Sequence, residues 1–384
     1  MLIRVAVALV AVAFAATLGL HAAGSATATA FDTAAAAGYL DARMDIWWAK
    51  AKTLKSGDTD TKCLSCHTAI PYALARPLLR RAMAVRTPTA HETRIVETVQ
   101  TRLAHLDQQQ PFYDHTADKK LESRGVEAVL SAFLMTSHDA GTGAATPSAD
   151  TTRAVARLWD VQRADGAWDW LNFGLEPYES SDAVFHGATV AALAAGSPTG
   201  AAASRTPAGS AGLDKLRAYL AAQQGSQRLF NRTWALLASS RLTGVLTPAE
   251  RDGLVAALAA TQRADGGWSM ADLGEWRWSK TRGPYASPGT TDAALLTPAD
   301  AYATGLVVYA LKQAGFTSHP AVTQGVGWLL AQQQPARAGD AAWAPWRAHS
   351  LNFDREHGGE KGEPWRRMFM SDLATAFATL ALLS

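Results

Sequence analysis

Cys63, Cys66 and His67 are the residues of this chain whose types and spacing restrict their chemistry most. In Cys63-Leu64-Ser65-Cys66-His67 two thiols stand three apart with an imidazole directly after the second, and the 384 residues contain no further cysteine. Such thiols can add across the two vinyl groups of a haem while the imidazole takes an axial place on its iron. A structural or redox-active disulfide and a metal site are the alternatives. A thioredoxin-type dithiol wants a βαβ setting that is not seen here, and zinc wants four ligands where the run offers three donors. The expectation is one covalent haem c on Cys63 and Cys66, with His67 axial and no zinc.

The compartment bears on this reading. Residues 1–30 have the parts of an export signal: Arg4, an uncharged apolar run from Val5 to Leu20, and Ala28-Thr29-Ala30 as a cleavage site before Phe31. An uncleaved anchor is the alternative. A periplasmic or secreted chain is expected, with 31–384 as one domain. The net charge of +2 falls to +1 when Arg4 leaves with the signal, which argues against a nucleic-acid partner.

The elements that must position the motif are repeats. Gln162-Arg163-Ala164-Asp165-Gly166-Ala167-Trp168 and Gln262-Arg263-Ala264-Asp265-Gly266-Gly267-Trp268 differ at one position, and a degenerate third copy begins at Gln332-Gln333-Gln334 and ends near Trp343. Each leaves one apolar-periodic segment and leads to another. Reading outward predicts an outer set of helices over 33–55, 91–109, 151–163, 213–224, 248–263 and 320–333. An inner set richer in small and apolar residues falls over 68–83, 123–137, 181–195, 231–241, 299–314 and 371–383. The fold class expected is all-α, an α/α toroid of six outer and six inner alternating helices that closes on itself and so needs no end caps. Residues 196–212 read as one long loop.

The Gln-x-x-Asp-Gly-x-Trp segments resemble the QW motifs of squalene-hopene and terpenoid cyclases, whose toroid is shared with protein prenyltransferase β-subunits. The likeness covers most of the chain from Thr151 onward and implies the fold more than the activity. Cyclase chemistry is not expected, because the Asp-x-Asp-Asp proton donor is absent. Asp58-Thr59-Asp60 lacks its last Asp, and Asp300 reads as a helix-start residue. Within the motifs Gly166 and Gly266 are expected at positive φ, Asp165 and Asp265 in turns, and the Gln and Trp side chains as ties between outer helices.

Alternation puts every outer-to-inner connection on one face, so Cys63–His67 lies in the first and the ring's closure brings the second and sixth beside it. A second axial ligand is expected from these, in the order His115, Met370, Met368, His357, His349. His186, with Asp182 one turn before it, reads as a cavity residue. Arg76, Arg80, Lys119, Arg124, Arg366 and Arg367 are candidates for the haem propionates, against solvated surface roles. Trp276, Arg277, Trp278 and Lys280 read as a lid or as ordinary loop packing. The function expected is an exported haem electron carrier working with a redox protein or quinol system. The alternative is a haem oxidoreductase holding a small or lipid-like apolar ligand in the ring, and behind it a binding protein without redox chemistry.

Overall fold

The computed structural model describes residues 30–279, 283–284, 293–335, 337, 343–357 and 363–384. The export-signal segment and Lys280 lie outside the described residues. Elements are numbered in chain order, short ones included. Outer helices are α1 (Thr33–Lys50), α3 (Ala90–Ala104), α5 (Ala149–Asp160), α8 (Pro207–Gln223), α10 (Pro248–Ala260) and α13 (Pro320–Gln332). Inner helices are α2 (Ala69–Ala82), α4 (Ala117–Thr142), α6 (Ala183–Ala195), α9 (Leu229–Ser239), α12 (Ala301–Gln313) and α16 (Phe369–Leu383). Each inner helix packs on the next, and α16 packs on both α12 and α2, so the inner ring closes. Among the described residues six outer and six inner helices thus alternate, as expected.

The layers follow from composition. Inner helix α6 carries no Asp, Glu, Lys or Arg, and every residue but Val184 is buried. Outer helix α5 buries only Thr151, Ala154, Val155, Leu158 and Trp159, one stripe of a 3.6-residue period. Side-chain caps start the outer helices. Thr89 with Glu92 and Thr247 with Glu250 form complete capping boxes on α3 and α10. Small residues let inner helices touch backbone to backbone: a Cβ on Gly305 of α12 would stand 2.7 Å from backbone atoms of Phe377 and Ala378 on α16.

The repeated segments tie the outer ring. Gly166 and Gly266 take φ of 96° and 92°. Trp168 and Trp268 donate their indole N–H groups back to the carbonyls of Leu158 and Leu258. Gln162 Nε2 donates to Gly166 O and to Gly212 O of α8, and Gln262 Nε2 to Gly266 O and to Ala321 O of α13. Asp165 and Asp265 accept backbone N–H bonds from Ala167 and Gly267, the turn role expected. The third copy ends on Trp346, not near Trp343: Trp346 donates to Leu329 O and Gln334 N–H to Pro345 O. Its Gln333 exchanges two bonds with the backbone of Asp32 at the start of α1, closing the outer ring end to end.

Two stretches depart from expectation. Outer helix α1 stops at Lys50, and the chain then forms an antiparallel hairpin, β1 (Thr53–Ser56) with β2 (Thr59–Lys62). Residues 196–212 hold a short helix, α7 (Pro198–Ala203), and the start of α8, each opened by a capping hydroxyl with Pro directly after it. The long fifth and sixth connections hold strands β3 (Arg277–Ser279) and β4 (Gly283–Pro284), with α11 (Ala293–Leu296), α14 (Phe353–His357) and α15 (Pro364–Arg367).

The middle of the ring is filled. Tyr178 and Trp234 lie 4.7 and 4.5 Å from His186, centroid to centroid, while Phe377 stands 5.6 Å from Trp234 and 5.4 Å from Tyr302. The cavity left among them, touching Cys66, is about 20 Å³. That volume holds one water, so the expected ligand cavity at the ring centre is corrected.

Gly166→Ala is expected to destabilise by about 1–3 kcal/mol, because Ala resists positive φ and its Cβ would lie 2.2 Å from Lys215 O. Gly38→Ala in α1, where a Cβ meets nothing within 4 Å, should instead stabilise by about 0.5–1 kcal/mol. Urea denaturation of the two variants measures both.

Candidate functional site

The hairpin carries the chain from the end of α1 to the first inner helix and is pinned by a buried arginine. Arg102 on α3 donates to Glu127 on α4 at 2.5 and 3.0 Å, to Thr61 Oγ1 at 2.9 Å and to Gln110 O at 2.8 Å. The run Cys63–Thr68 then folds over the N-terminus of α2. Ser65 Oγ accepts the backbone N–H groups of His67 and Thr68 and lies 2.7 Å from His67 Nδ1. His67 stacks on Phe369 at 3.6 Å and 19°, with Trp47 edge-on at 6.0 Å. Nδ1 is therefore engaged and the ring plane fixed.

Beneath it Asp372 on α16 gathers donors from two elements, α1 and the head of α2. Its Oδ1 accepts from Tyr39 OH at 2.8 Å and Arg43 Nε at 2.6 Å; its Oδ2 accepts from Thr68 Oγ1 at 2.8 Å and Arg43 Nη2 at 3.1 Å. Burial raises the Asp372 carboxyl above its usual value, against the pull of Arg43. Burial also moves the groups of the motif. His67 is driven well below the imidazole range, with Arg355, Arg43 and Arg366 adding to the effect. The Cys63 thiol is raised well above its usual value, and Cys66 is pushed up to about 12, by burial first. The two cysteines are not joined to each other in this structure. Protonated thiols and a neutral imidazole are poor nucleophiles and a poor acid.

A second cluster on the same face gathers residues from the third to the sixth connections. Glu176 is buried, accepts from Ser180 Oγ at 2.8 Å, and lies 3.3 Å from Arg228 Nη1. Nη2 of the same guanidinium bonds Asp182, whose side chain is about half exposed. Arg228 lies over the Trp276 ring at 4.6 Å, and Asn352 Nδ2 donates to Glu176 O. Asn352 Oδ1 is buried without a partner. Arg355 reaches Glu179 at 3.1 Å. Burial raises the Glu176 carboxyl above its usual value, Arg228 opposing. Sequence reading missed Glu176, Glu179, Arg228 and Arg355; their convergence needs three connections to meet, and no spacing signals it.

The expected second ligands scatter. His115 is exposed in the second connection, edge-on to Tyr113 at 6.4 Å. Met368 and Met370 are buried on either side of Phe369, which brings the sixth connection against His67 as ring closure requires. His349 is tied to Glu356 at 3.0 Å, and His357 ends α14. Most of the proposed propionate cations have partners already: Arg76 binds Asp41, Arg80 Glu92, Lys119 Glu122, Arg366 Glu363 and Arg367 Glu356. Arg124 is exposed on α4. His186 is indeed a cavity residue, its Nδ1 unpartnered and its basicity pushed down to about 3 by burial. Trp276 is buried, which favours loop packing over a lid. Asp300 caps α12, accepting from Ala303 N–H and Met270 N–H, and burial raises it to about 6.

No protein-family model matches the chain, and no curated protein matches it either. Among solved structures, the unsaturated glucuronyl hydrolase of Bacillus sp. GL1, responsible for glycosaminoglycan degradation, superposes at a TM-score of 0.50 and 11% identity. The match covers 89% of this chain and 94% of that one. A glycosidase variant aligns at a TM-score of 0.48 and 13% identity, over 92% and 98% of the two chains. The likeness to the hydrolase establishes a common fold. It replaces the terpenoid-cyclase resemblance, since the structure that superposes is a glucuronyl hydrolase. The haem-carrier reading is corrected with it, and so is the haem-oxidoreductase alternative. The solved structure that shares this fold is a glucuronyl hydrolase and not a haem protein.

Asp372→Asn is expected to cost about 3–5 kcal/mol, because Arg43 would keep its buried charge without a counter-charge. Chemical denaturation measures this; a loss below 1 kcal/mol would show that Arg43 finds another partner.

Proposed function

We propose that the protein is a glycoside hydrolase-like enzyme whose reactive centre is the Glu176–Arg228–Asp182 cluster. One observation carries the reading: a single guanidinium spans a buried carboxyl of raised pKa and a second, half-exposed carboxylate on the loop-bearing face of the ring. Glycosidic bonds are cleaved by two such groups, a protonated acid that gives its proton to the leaving oxygen and a carboxylate that activates water or attacks the sugar. Glu176 takes the first role because burial favours its neutral form. Asp182 takes the second, at the edge that water reaches. The orphaned Oδ1 of Asn352 is an acceptor suited to a sugar hydroxyl. The fold held in common with a glucuronyl hydrolase supports the substrate class, by analogy of fold alone.

The cavity beside Cys66 is about 20 Å³ and does not hold a porphyrin, so no step of the proposed reaction passes through a haem.

The hydrolase reading is tested with aryl glycosides and unsaturated uronyl disaccharides. Glu176→Gln should lower kcat by about 10²–10⁴-fold, the usual contribution of a general acid, with little change in KM. The wild-type rate should fall as pH rises through the raised Glu176 pKa, and Glu176→Gln should lose that limb. Absence of wild-type turnover on the whole panel refutes the reading.

A further inference from the structure

We propose that a cavity on the face opposite Cys63 binds a single-chain amphiphile with an anionic head group. The cavity is about 560 Å³, against about 20 Å³ at the ring centre, and falls within the roughly 300–1,000 Å³ of pockets that enclose whole small ligands. It opens between the C-terminal halves of α2 and α4, with α3 as its outer wall, and ends near the ring axis at Arg241, Tyr309 and Leu380. Inner helix α4 has 26 residues against the 14 of α2, and its last turns, Ser137 to Thr142, form one wall of the cavity.

Its lining sorts into two parts. Leu74, Leu78, Ile95, Val96, Leu134 and Leu380 supply an apolar floor, where helical backbone has already spent its hydrogen bonds. Arg80, Arg81 and Arg241 supply cations, with Glu92 and Glu97 as the acids. Arg80 and Glu92 satisfy each other at 3.2 Å. That leaves Arg81 and Arg241 against Glu97, an excess of one positive charge beside an apolar trough. Arg241 also faces the phenol of Tyr309, a second donor at the axial end. A polar ligand would leave the floor unpaired, and a neutral or cationic amphiphile would leave the arginines unanswered. An acyl chain ending in a carboxylate or another single anion matches both parts. The site is remote from Glu176 and does not rest on the hydrolase reading.

Isothermal titration with tetradecanoate and with tetradecyltrimethylammonium, both below micelle formation, tests the proposal on the full chain. Saturable binding of one tetradecanoate is expected, with the cationic amphiphile at least tenfold weaker. Arg81→Glu with Arg241→Glu should weaken tetradecanoate by about tenfold or more, since a charge-assisted contact is lost at each position. Gly141→Trp fills the cavity edge from a helix position where a Cβ meets nothing within 4 Å, and should abolish binding while circular dichroism stays unchanged. All three positions are exposed, so these variants keep the core intact. Failure of tetradecanoate to bind, equal binding of the cation, or unchanged affinity in both variants overturns the proposal.

Discussion

The carboxylate of Asp372 is the point on which the closed ring turns. It lies on the last inner helix and takes four hydrogen bonds, three from the first outer helix and one from Thr68 at the head of the first inner helix. A buried ion pair gains little net stability over apolar packing, because desolvation offsets the attraction. What it supplies here is registry: the two ends of the chain can meet in only one alignment that leaves neither Arg43 nor Asp372 alone. The stack of His67 on Phe369 and the exchange between Gln333 and Asp32 both require that alignment.

The ring was legible in the sequence because its ties are local. Gly166 and Gly266 stand at positive φ where helices end, and the indole of each following Trp reaches back ten residues to a helix carbonyl. Such bonds are set by spacing, so a repeated spacing reveals them. The third copy ends three residues later than its spacing suggests because an insertion separates Gln333 from Trp346, while Trp346 still reaches back to a helix carbonyl as Trp168 and Trp268 do. The hairpin at Thr53–Lys62 escaped because its strands are short and polar, and Arg102, forty residues farther on, holds it. Asp300 was read correctly as a helix start, since capping is a relation between near neighbours.

The site was far less legible. Cys63, Cys66 and His67 drew attention by spacing, yet their acid–base character depends on burial, which spacing does not encode. In the folded chain all three are shifted toward their uncharged forms. Glu176 carries no motif at all. Its raised pKa comes from burial, which outweighs the opposing pull of Arg228 and follows only when several connections pack together.

A filled centre has a further consequence for where binding can occur. Tyr178, His186, Trp234, Tyr302 and Phe377 occupy the axis, so a ligand must bind at one of the two faces and not along a bore. The faces differ because the chain treats them differently. Most outer-to-inner connections are long, and together they carry carboxylates and arginines into contact, whereas the opposite face is made of helix ends, short turns and α7. On that second face a cavity can persist only where neighbouring helices fail to fill the space between them, as beside α2 and α4. The face of Glu176 and Arg228 thus brings charged side chains of several connections together, while the face of Leu78 and Leu134 sets an apolar trough beside Arg81 and Arg241.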